Sequence, residues 1–382
     1  MNSSYSFTLF SYVSELPAKW NDLAASTIFL TKEYLEVLER SSPNNMVCHY
    51  IGLFHEDKLI GIALSQFLDI NQLTSFGERD KCIKTSVRNF VFKNFCSHVL
   101  FIGNNMLTGQ NAYAFSEKTD AKMAITTLKK AADALKLYFK RKGEKIHITS
   151  FKDFEEVIAT DFKMSGFSNH YQFSTQPNMV FEIPSQWKSN DDYIAALSKK
   201  YRDQYKRARK KSADVLKRKL HLEDIIKYED IIYDLYFHVA NNAPFNTFFL
   251  AKNHFRVFKE IMKDNFLFYG YFLEDKLIGF NTLIKNGSTI DTYFLGYDDS
   301  IQKEKMLYLN MLYDMIAYSI NKGFKEIIFA RTALEIKSSV GAKPQKMYGF
   351  IKHEMPLIDR FMPRLFTYLE PETVWQERNP FK

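Results

Sequence analysis

The chain has three cysteines in 382 residues, Cys48, Cys82 and Cys96, and they form no Cys-x-x-Cys pair. A disulfide scaffold is thereby excluded, and the thiols read as core residues in a reducing compartment. No apolar run approaches the ~20 residues that span a bilayer, so an integral membrane protein is not expected. The opening MNSSYSFTLF has no basic segment followed by an apolar core. No secretory signal is read there, and a cytoplasmic location is expected. HExxH, GxSxG, Walker A and GxGxxG are all missing, which argues against the chemistries those motifs serve. The nine histidines show no metal-ligand spacing, so no metal site is expected. His238 and His254, in FHVANNAPFNTFFLAKNHF, read as satisfied or solvated residues of a helical region.

What is present suits a folded protein of two parts. The length accommodates two domains of roughly 180–200 residues, and the 46% hydrophobic content is enough for two cores. Phe and Tyr are abundant, but so are Lys, Asn and Ile, and that shared bias carries no function.

The hexapeptide EDKLIG occurs at Glu56–Gly61 and again at Glu274–Gly279. Internal repeats of this kind set the architecture and are sought first. Each copy is followed by a glycine-ended strand, a helical run, a short strand and a last strand pair. Gly103 answers to Gly296, Gly143 to Gly323 and Gly166 to Gly341. Forty-two residues separate Gly61 from Gly103, against 17 between Gly279 and Gly296. The excess reads as an insertion around Asn71 to Ser97. The chain is a tandem duplication, with a boundary expected between residues 184 and 185 at the polar, proline-bearing IPSQWKSN.

In each copy the hexapeptide is a hairpin turn between two strands. Leu309, Leu312, Ile316 and Ile320 recur at helical spacing and are closed by Gly323 as a C-cap. KEIIFA (Lys325 to Ala330) is a buried strand. Thr332 and Glu335 have capping-box spacing for a following helix, as do Ser150 and Asp153 in the first copy. The result is an α/β (α+β) chain of two tandem domains, each a mixed central sheet flanked by helices.

This order resembles the fold of the GNAT superfamily, the acyl-CoA-dependent N-acyltransferases. Two copies in one chain resemble its Fem-type (FemAB-like) branch, whose relatives add amino acids or acyl groups to amines. The tail YFLGYD, then a helix, then KEIIFARTALEIKSSVGAKP is similar to the end of such domains. DDYIAALSKKYRDQYKRARKKS (Asp191 to Ser212) is similar to the helix that opens the second domain. The resemblance implies residues 1–184 and 185–382 as two GNAT-like domains, with acyl-CoA (acetyl-CoA) or aminoacyl-tRNA as donor and no metal. The acceptor would be an amine of a small molecule or a cell-envelope precursor. A catalytically silent double-GNAT protein, binding an envelope precursor or a protein partner, is the alternative. One departure favours it. GNAT domains place an Arg/Gln-x-x-Gly-x-Gly/Ala turn before the central helix, where N–H groups hold the CoA pyrophosphate. The matching stretch here, Tyr297 to Leu309, has no glycine and carries two aspartates.

Amine acylation needs a group to take the amine proton and donors for the oxyanion. The second copy offers Asp291, inside TIDTYFLG, and Glu335, just after KEIIFA, as candidate catalytic carboxylates. The other reading of Asp291 is an edge-facing strand residue, and that of Glu335 is a helix cap. Tyr293 is the candidate proton donor to the leaving group, or a packing residue. Arg331 and Lys337 flank the strand end and, with Tyr297, are candidates for substrate binding. In the first copy HITSFKD has no arginine matching Arg331, so the second copy is expected to carry the site.

Residues 199–219 hold eleven Lys and Arg against two Asp, a net of +9, while the whole chain carries +8. Tyr193, Leu197, Tyr201, Tyr205, Ala208 and Val215 recur at three- or four-residue steps. The stretch therefore reads as an amphipathic helix with a basic outer face. That face is either merely solvated or a track for tRNA or an anionic surface, contacted through Lys206, Arg207, Lys210 and Lys211.

Overall fold

A computed structural model describes residues 5–72, 93–174, 176–242, 246–369 and 375–382. Cys82 and residues 73–92 of the expected insertion lie outside the described residues. The chain divides into two compact units. Unit 1 comprises Met1–Thr175, Thr247–Ala251 and Lys346–Glu372, and unit 2 comprises Gln176–Asn246, Lys252–Gln345 and Thr373–Lys382. A single boundary at 184/185 therefore does not describe the division. IPSQWKSN lies inside unit 2, and the chain re-enters unit 1 near its end.

The first seven strands are β1 (Tyr5–Phe10), β2 (Met46–His55), β3 (Lys58–Asp69), β4 (His98–Ile102), β5 (Tyr113–Phe115), β6 (Ile148–Phe154) and β7 (Tyr171–Ser174). The next eight are β8 (Asn178–Glu182), β9 (Leu216–Lys219), β10 (Phe266–Leu273), β11 (Lys276–Asn286), β12 (Thr289–Tyr297), β13 (Glu326–Ala330), β14 (Lys343–Gln345) and β15 (Tyr348–His353). Unit 1 builds the sheet β1-β2-β3-β4-β6-β15-β7, with β5 on β3, and unit 2 builds β14-β8-β13-β12-β11-β10-β9. The last strand of the pair expected in each copy is thus exchanged, while β7 and β14 stay with their own copies. β15 follows the second copy in sequence but lies between β6 and β7, and β8 follows the first copy but lies between β13 and β14.

The repeated hexapeptide folds the same way twice. His55 pairs with Lys58 and Leu273 with Lys276, so each hairpin has a two-residue loop. Glu56 and Asp57 have φ of 49° and 63°, and Glu274 and Asp275 have 47° and 64°. Two successive left-handed residues are what a primed hairpin turn requires, because its twist matches that of the strands. A bulge follows at the same place in both, at Leu53/Phe54 and Tyr271/Phe272.

Each unit then makes a parallel pairing across a helix. Ala121–Arg141 links β5 to β6, with Asp120 capping its N-terminus. Leu307–Asn321, with its preceding turn, links β12 to β13. The second helix ends as expected on Gly323, at φ 73°, and the first ends likewise on Gly143, at 86°, both in the left-handed region. Leu307, Leu309, Met311, Leu312, Met315, Ile316 and Ile320 line the second helix and are buried against Met179, Phe181, Ile290, Ile327 and Phe329 of the sheet. Each such side chain contributes roughly 1.5–3 kcal/mol by leaving water.

Several local expectations are corrected. Ser150 and Asp153 lie inside β6, so they cap no helix. The helix after β13 starts at Leu334 behind Ala333, whose φ is 47°, and Thr332 makes no cap bond to it. Residues 191–212 form two helices, Asn190–Ala196 and Lys199–Lys211, broken at Leu197. The basic helix stops at Lys211, and Leu216–Lys219 is the edge strand β9. Cationic side chains suit such an edge, where they deter pairing with another chain. Gly103 and Gly296 are not equivalent. Gly103 follows the last residue of β4, whereas Gly296 lies inside β12, five residues past the last β12–β13 pair. A Cβ at Gly296 would come within 2.5 Å of the backbone of Leu235, so the residue is glycine for close packing.

Candidate functional site

β12 and β13 run parallel for three pairs, Thr289 with Glu326, Ile290 with Ile327 and Asp291 with Ile328. Beyond Asp291 they part, and β12 continues to Tyr297 with no strand partner on that side among the described residues. The parting is reinforced from the other side of β12. Tyr293 and Phe294 together stand opposite Thr282 of β11, a bulge of the kind that re-aims side chains beside active sites. On β13 the backbone turns left-handed at Ala330, with φ of 59°. The two strands thus diverge beyond Asp291.

Asp291 is 5% exposed. Burial pushes its carboxyl up to about 7, helped by the charge of Glu326 and opposed by a hydrogen bond from Asn286 Nδ2 at 3.3 Å. The cause is desolvation, which disfavours the ionised form. On the β13 side of the opening, Lys337 is buried and its Nζ donates to the carbonyls of Ala330 at 3.3 Å and Arg331 at 2.7 Å. Burial alone brings its ammonium down to about 7. A carboxyl inside β12 and an amine on the helix Leu334–Ser338 that follows β13 are thus both brought to about 7. Buried groups perturbed in this way are candidates for a functional site.

The other sequence candidates fall into place around this pair. Arg331 is half-buried at the end of β13, where it supplies a carbonyl to Lys337. Tyr293 is buried, and its hydroxyl bonds to His254 Nε2 at 3.0 Å among the rings of Phe258, Phe266 and Phe294. Tyr297, at the far end of β12, is half-buried near Tyr308. Glu335 is exposed and takes hydrogen bonds from Gln376 N at 3.1 Å and Arg378 Nη2 at 3.2 Å, so it tethers the C-terminal segment. Asn286 and Glu326 were not legible as site residues. Each acts on Asp291 across a strand register that a sequence pattern does not reveal.

Lys206, Arg207, Lys210 and Lys211 are all exposed on the helix Lys199–Lys211. Arg209 faces inward instead, bonding Asp314 at 2.8 Å, and Asn310 Nδ2 donates to Ala208 O at 2.9 Å. Asp314 also accepts the Tyr271 hydroxyl at 2.9 Å. The helix is thus fixed on its inner side and presents Lys206, Arg207, Lys210 and Lys211 outward.

The stretch before Leu307–Asn321 holds no phosphate-binding turn. It forms a short helix, Asp299–Lys305, whose N-terminus is capped by the chain's own Asp298, accepting from Ser300 N at 3.0 Å. An anion site of that kind is already filled by a carboxylate.

No family model matches the sequence, and no curated protein matches it. Solved structures do match. FemX superposes with a TM-score of 0.53 at 11% identity, over 92% of this chain and 98% of that one. A tandem GNAT protein from the clavulanic acid biosynthesis pathway matches with a TM-score of 0.50 at 10% identity, over 92% and 99%. This chain has a tandem GNAT fold. At these identities the likeness concerns the fold alone. Within the tandem GNAT fold, the described residues include no group of three or more His, Cys, Asp or Glu placed to hold a metal ion. Among the described residues no helix is long and apolar enough to cross a membrane.

Proposed function

We propose that this chain is an N-acyltransferase, moving an acetyl or aminoacyl group from a CoA- or tRNA-activated donor to an amine. The observation that carries the reading is Asp291, a buried carboxyl that titrates near neutrality at the apex of the β12–β13 splay. A general base works best when its pKa lies near the operating pH. In this reading the acceptor nitrogen gives its proton to Asp291 and attacks the donor's carbonyl carbon. A C–N bond forms, the donor's C–S or C–O bond breaks, and the Asp291 carboxyl returns the proton to the leaving group. Lys337 and Arg331 place positive charge at the opening, where the oxyanion develops. The exposed Lys206, Arg207, Lys210 and Lys211 are proposed to meet a polyanionic donor or surface. Tyr293 and Tyr297 line the site, while Glu335 acts through the C-terminal segment that it holds. The acceptor reading extends to an amine of a cell-envelope precursor.

The Asp298 cap supports a second reading, a catalytically silent protein that binds its ligand without transfer. Turnover separates the two. Purified protein is offered acetyl-CoA, longer acyl-CoAs or aminoacyl-tRNA together with a panel of amines, and amide formation is followed by mass. Asp291→Asn is expected to lower turnover by roughly 10²–10⁴-fold with the fold retained. Transfer undiminished in that variant removes Asp291 as the base. If every donor raises the melting temperature and none is consumed, the silent reading replaces the enzyme.

A further inference from the structure

Four strands end the two sheets, and three of them are guarded. β14 is three residues long and contains Pro344. β9 has four residues and carries Lys217, Arg218 and Lys219. β7 also has four, and the ring of Phe366 lies 5.8 Å from that of Tyr171 and 4.7 Å from that of Phe173. Shortness, proline, charge and covering groups are the means by which sheets avoid pairing with other chains. β1 has none of them. It runs six residues, YSFTLF, without a charge or a proline, and it pairs with β2 without a bulge. None of the six is buried, although Tyr5, Phe7, Leu9 and Phe10 are large and apolar. Among the described residues, no backbone group of Tyr5–Phe10 bonds to anything but β2, so the outer edge of the strand is open.

The strand is complementary to itself. Tyr5, Phe7 and Leu9 pack into the core beneath the helix Ala121–Arg141, and alternation turns Ser6 and Thr8, both exposed, to the other face. An antiparallel copy about a two-fold axis at Phe7 sets Phe7 against Phe7, Tyr5 against Leu9 and Ser6 against Thr8. Apolar groups then meet on one face and hydroxyls on the other, and such cross-strand pairs are what stabilise a sheet. An axis at Thr8 would instead oppose Ser6 and Phe10.

The helix above β1 obeys the same axis. Three antiparallel pairings separate β1 from β4, so β1 runs in the sense of the crossover helix. Tyr138 packs edge-on against His49, the neighbour of the Tyr50 that pairs with Phe10. Stepping back ~13 Å along both elements, at about 1.5 Å per helical and ~3.3 Å per strand residue, brings the helix near Lys130 level with Phe7. Met123 and Leu137, 41% and 56% exposed, lie seven residues to either side of Lys130 on one stripe. About the axis, Met123 of one copy faces Leu137 of the other. Lys130 and Asp133 between them are exposed and opposite in sign.

We infer that β1 is the interface between two copies of this chain. They pair edge to edge and antiparallel about Phe7, which joins two unit 1 sheets into one, and their Ala121–Arg141 helices lie side by side over the seam. The inference makes no use of the acyltransferase reading and stands or falls without it.

Sedimentation equilibrium of the intact protein across a wide range of concentration is expected to show a reversible dimer. Ser6→Lys/Thr8→Lys sets like charges opposite each other at two places and should weaken that dimer about tenfold or more. Ser6→Lys/Thr8→Glu sets opposite charges in the same places and should keep it. Both positions are exposed, so the melting temperature should hold in each variant. If the double-lysine variant melts early, the charge-paired variant and a cross-link decide. Residues directly opposed across an antiparallel pair are roughly 4.5–5.5 Å apart at Cα, within disulfide reach, so Phe7→Cys should yield a linked dimer on mild oxidation. A monomer at every concentration would overturn the inference, and so would a monomer whose β1 takes up a strand of another protein. A dimer indifferent to both double variants, or a Phe7→Cys protein that does not cross-link, would overturn it as well.

Discussion

The two splays of this molecule are built on the same register and filled in opposite ways. In unit 1 the last parallel pair is Ile102 with Phe151, and in unit 2 it is Asp291 with Ile328. The next residue on the second strand is Lys152 in one and Phe329 in the other, followed by left-handed Asp153 at 65° and Ala330 at 59°. Unit 1 plugs its own opening. Lys152 pairs with Asp153, donates to Asn104 O at 3.1 Å, and lies so close to Gly103 that a Cβ there would meet its Cγ at 2.8 Å. Asn104 is held in turn by the Tyr34 hydroxyl at 2.8 Å. Unit 2 puts a carboxyl where unit 1 has isoleucine, and an apolar ring where unit 1 has the plugging lysine. A duplicated frame can thus keep one register at both partings and fill them with different residues.

The comparison breaks most severely if the exchanged strands are removed, since each lies directly against the second strand of a splay. Residues 1–184 alone lack β15, which pairs with β6, and residues 185–382 alone lack β8, which pairs with β13. Neither piece is expected to show a cooperative melt by circular dichroism when expressed alone. A cooperative transition in either one would mean that the exchanged strand is dispensable.

Next in size is the plug itself. Lys152→Ala leaves Asp153 buried without its cation and should cost about 3–5 kcal/mol in urea unfolding. Any transfer activity at the unit 2 site should survive in the fraction that stays folded. A loss below 1 kcal/mol would show that the unit 1 splay is not sealed by this pair.

The unit 2 splay should make stability depend on pH in a definite sense. Asp291 has a folded pKa of about 7 against an ordinary 3.8. The folded state therefore binds the extra proton between these values, and the associated stability is present below pH 4 and lost as pH rises through 7. Lys337 is lowered from 10.5 to about 7, so its contribution is present above pH 10.5 and lost as pH falls through 7. Both costs are near their greatest at neutrality, each on the order of 3 kcal/mol. Asp291→Asn should raise stability at pH 7 and flatten its slope between pH 5 and 7, and Lys337→Met should do the same between pH 7 and 9. An unchanged slope in urea titrations would mean that these groups are solvated.

The smallest effect on folding is expected on the outer face of the basic helix. Changing Lys206, Arg207, Lys210 and Lys211 to Gln should move stability by no more than ~1 kcal/mol, because exposed charges contribute little. It should weaken binding to tRNA or anionic vesicles and flatten its salt dependence. Wild-type protein that binds neither at low salt would leave the helix as a solvated surface.

The sequence by itself determined the hairpins, the glycine helix ends, the paired copies and the cationic outer face of the basic helix. These follow from turn chemistry, capping and periodicity, which act over a few residues and are written in order along the chain. It could not determine that β8 and β15 change places, because a strand's partner is chosen by long-range pairing and not by its own residues. The same limit extended the basic helix to residue 219, where pairing with β10 draws Leu216–Lys219 into a strand instead. Asp291 was legible as a carboxylate in a strand, but its burial was not. Desolvation depends on what the tertiary structure packs around a group, and only that packing raises the Asp291 carboxyl to about 7 and sets Lys152 against Asp153.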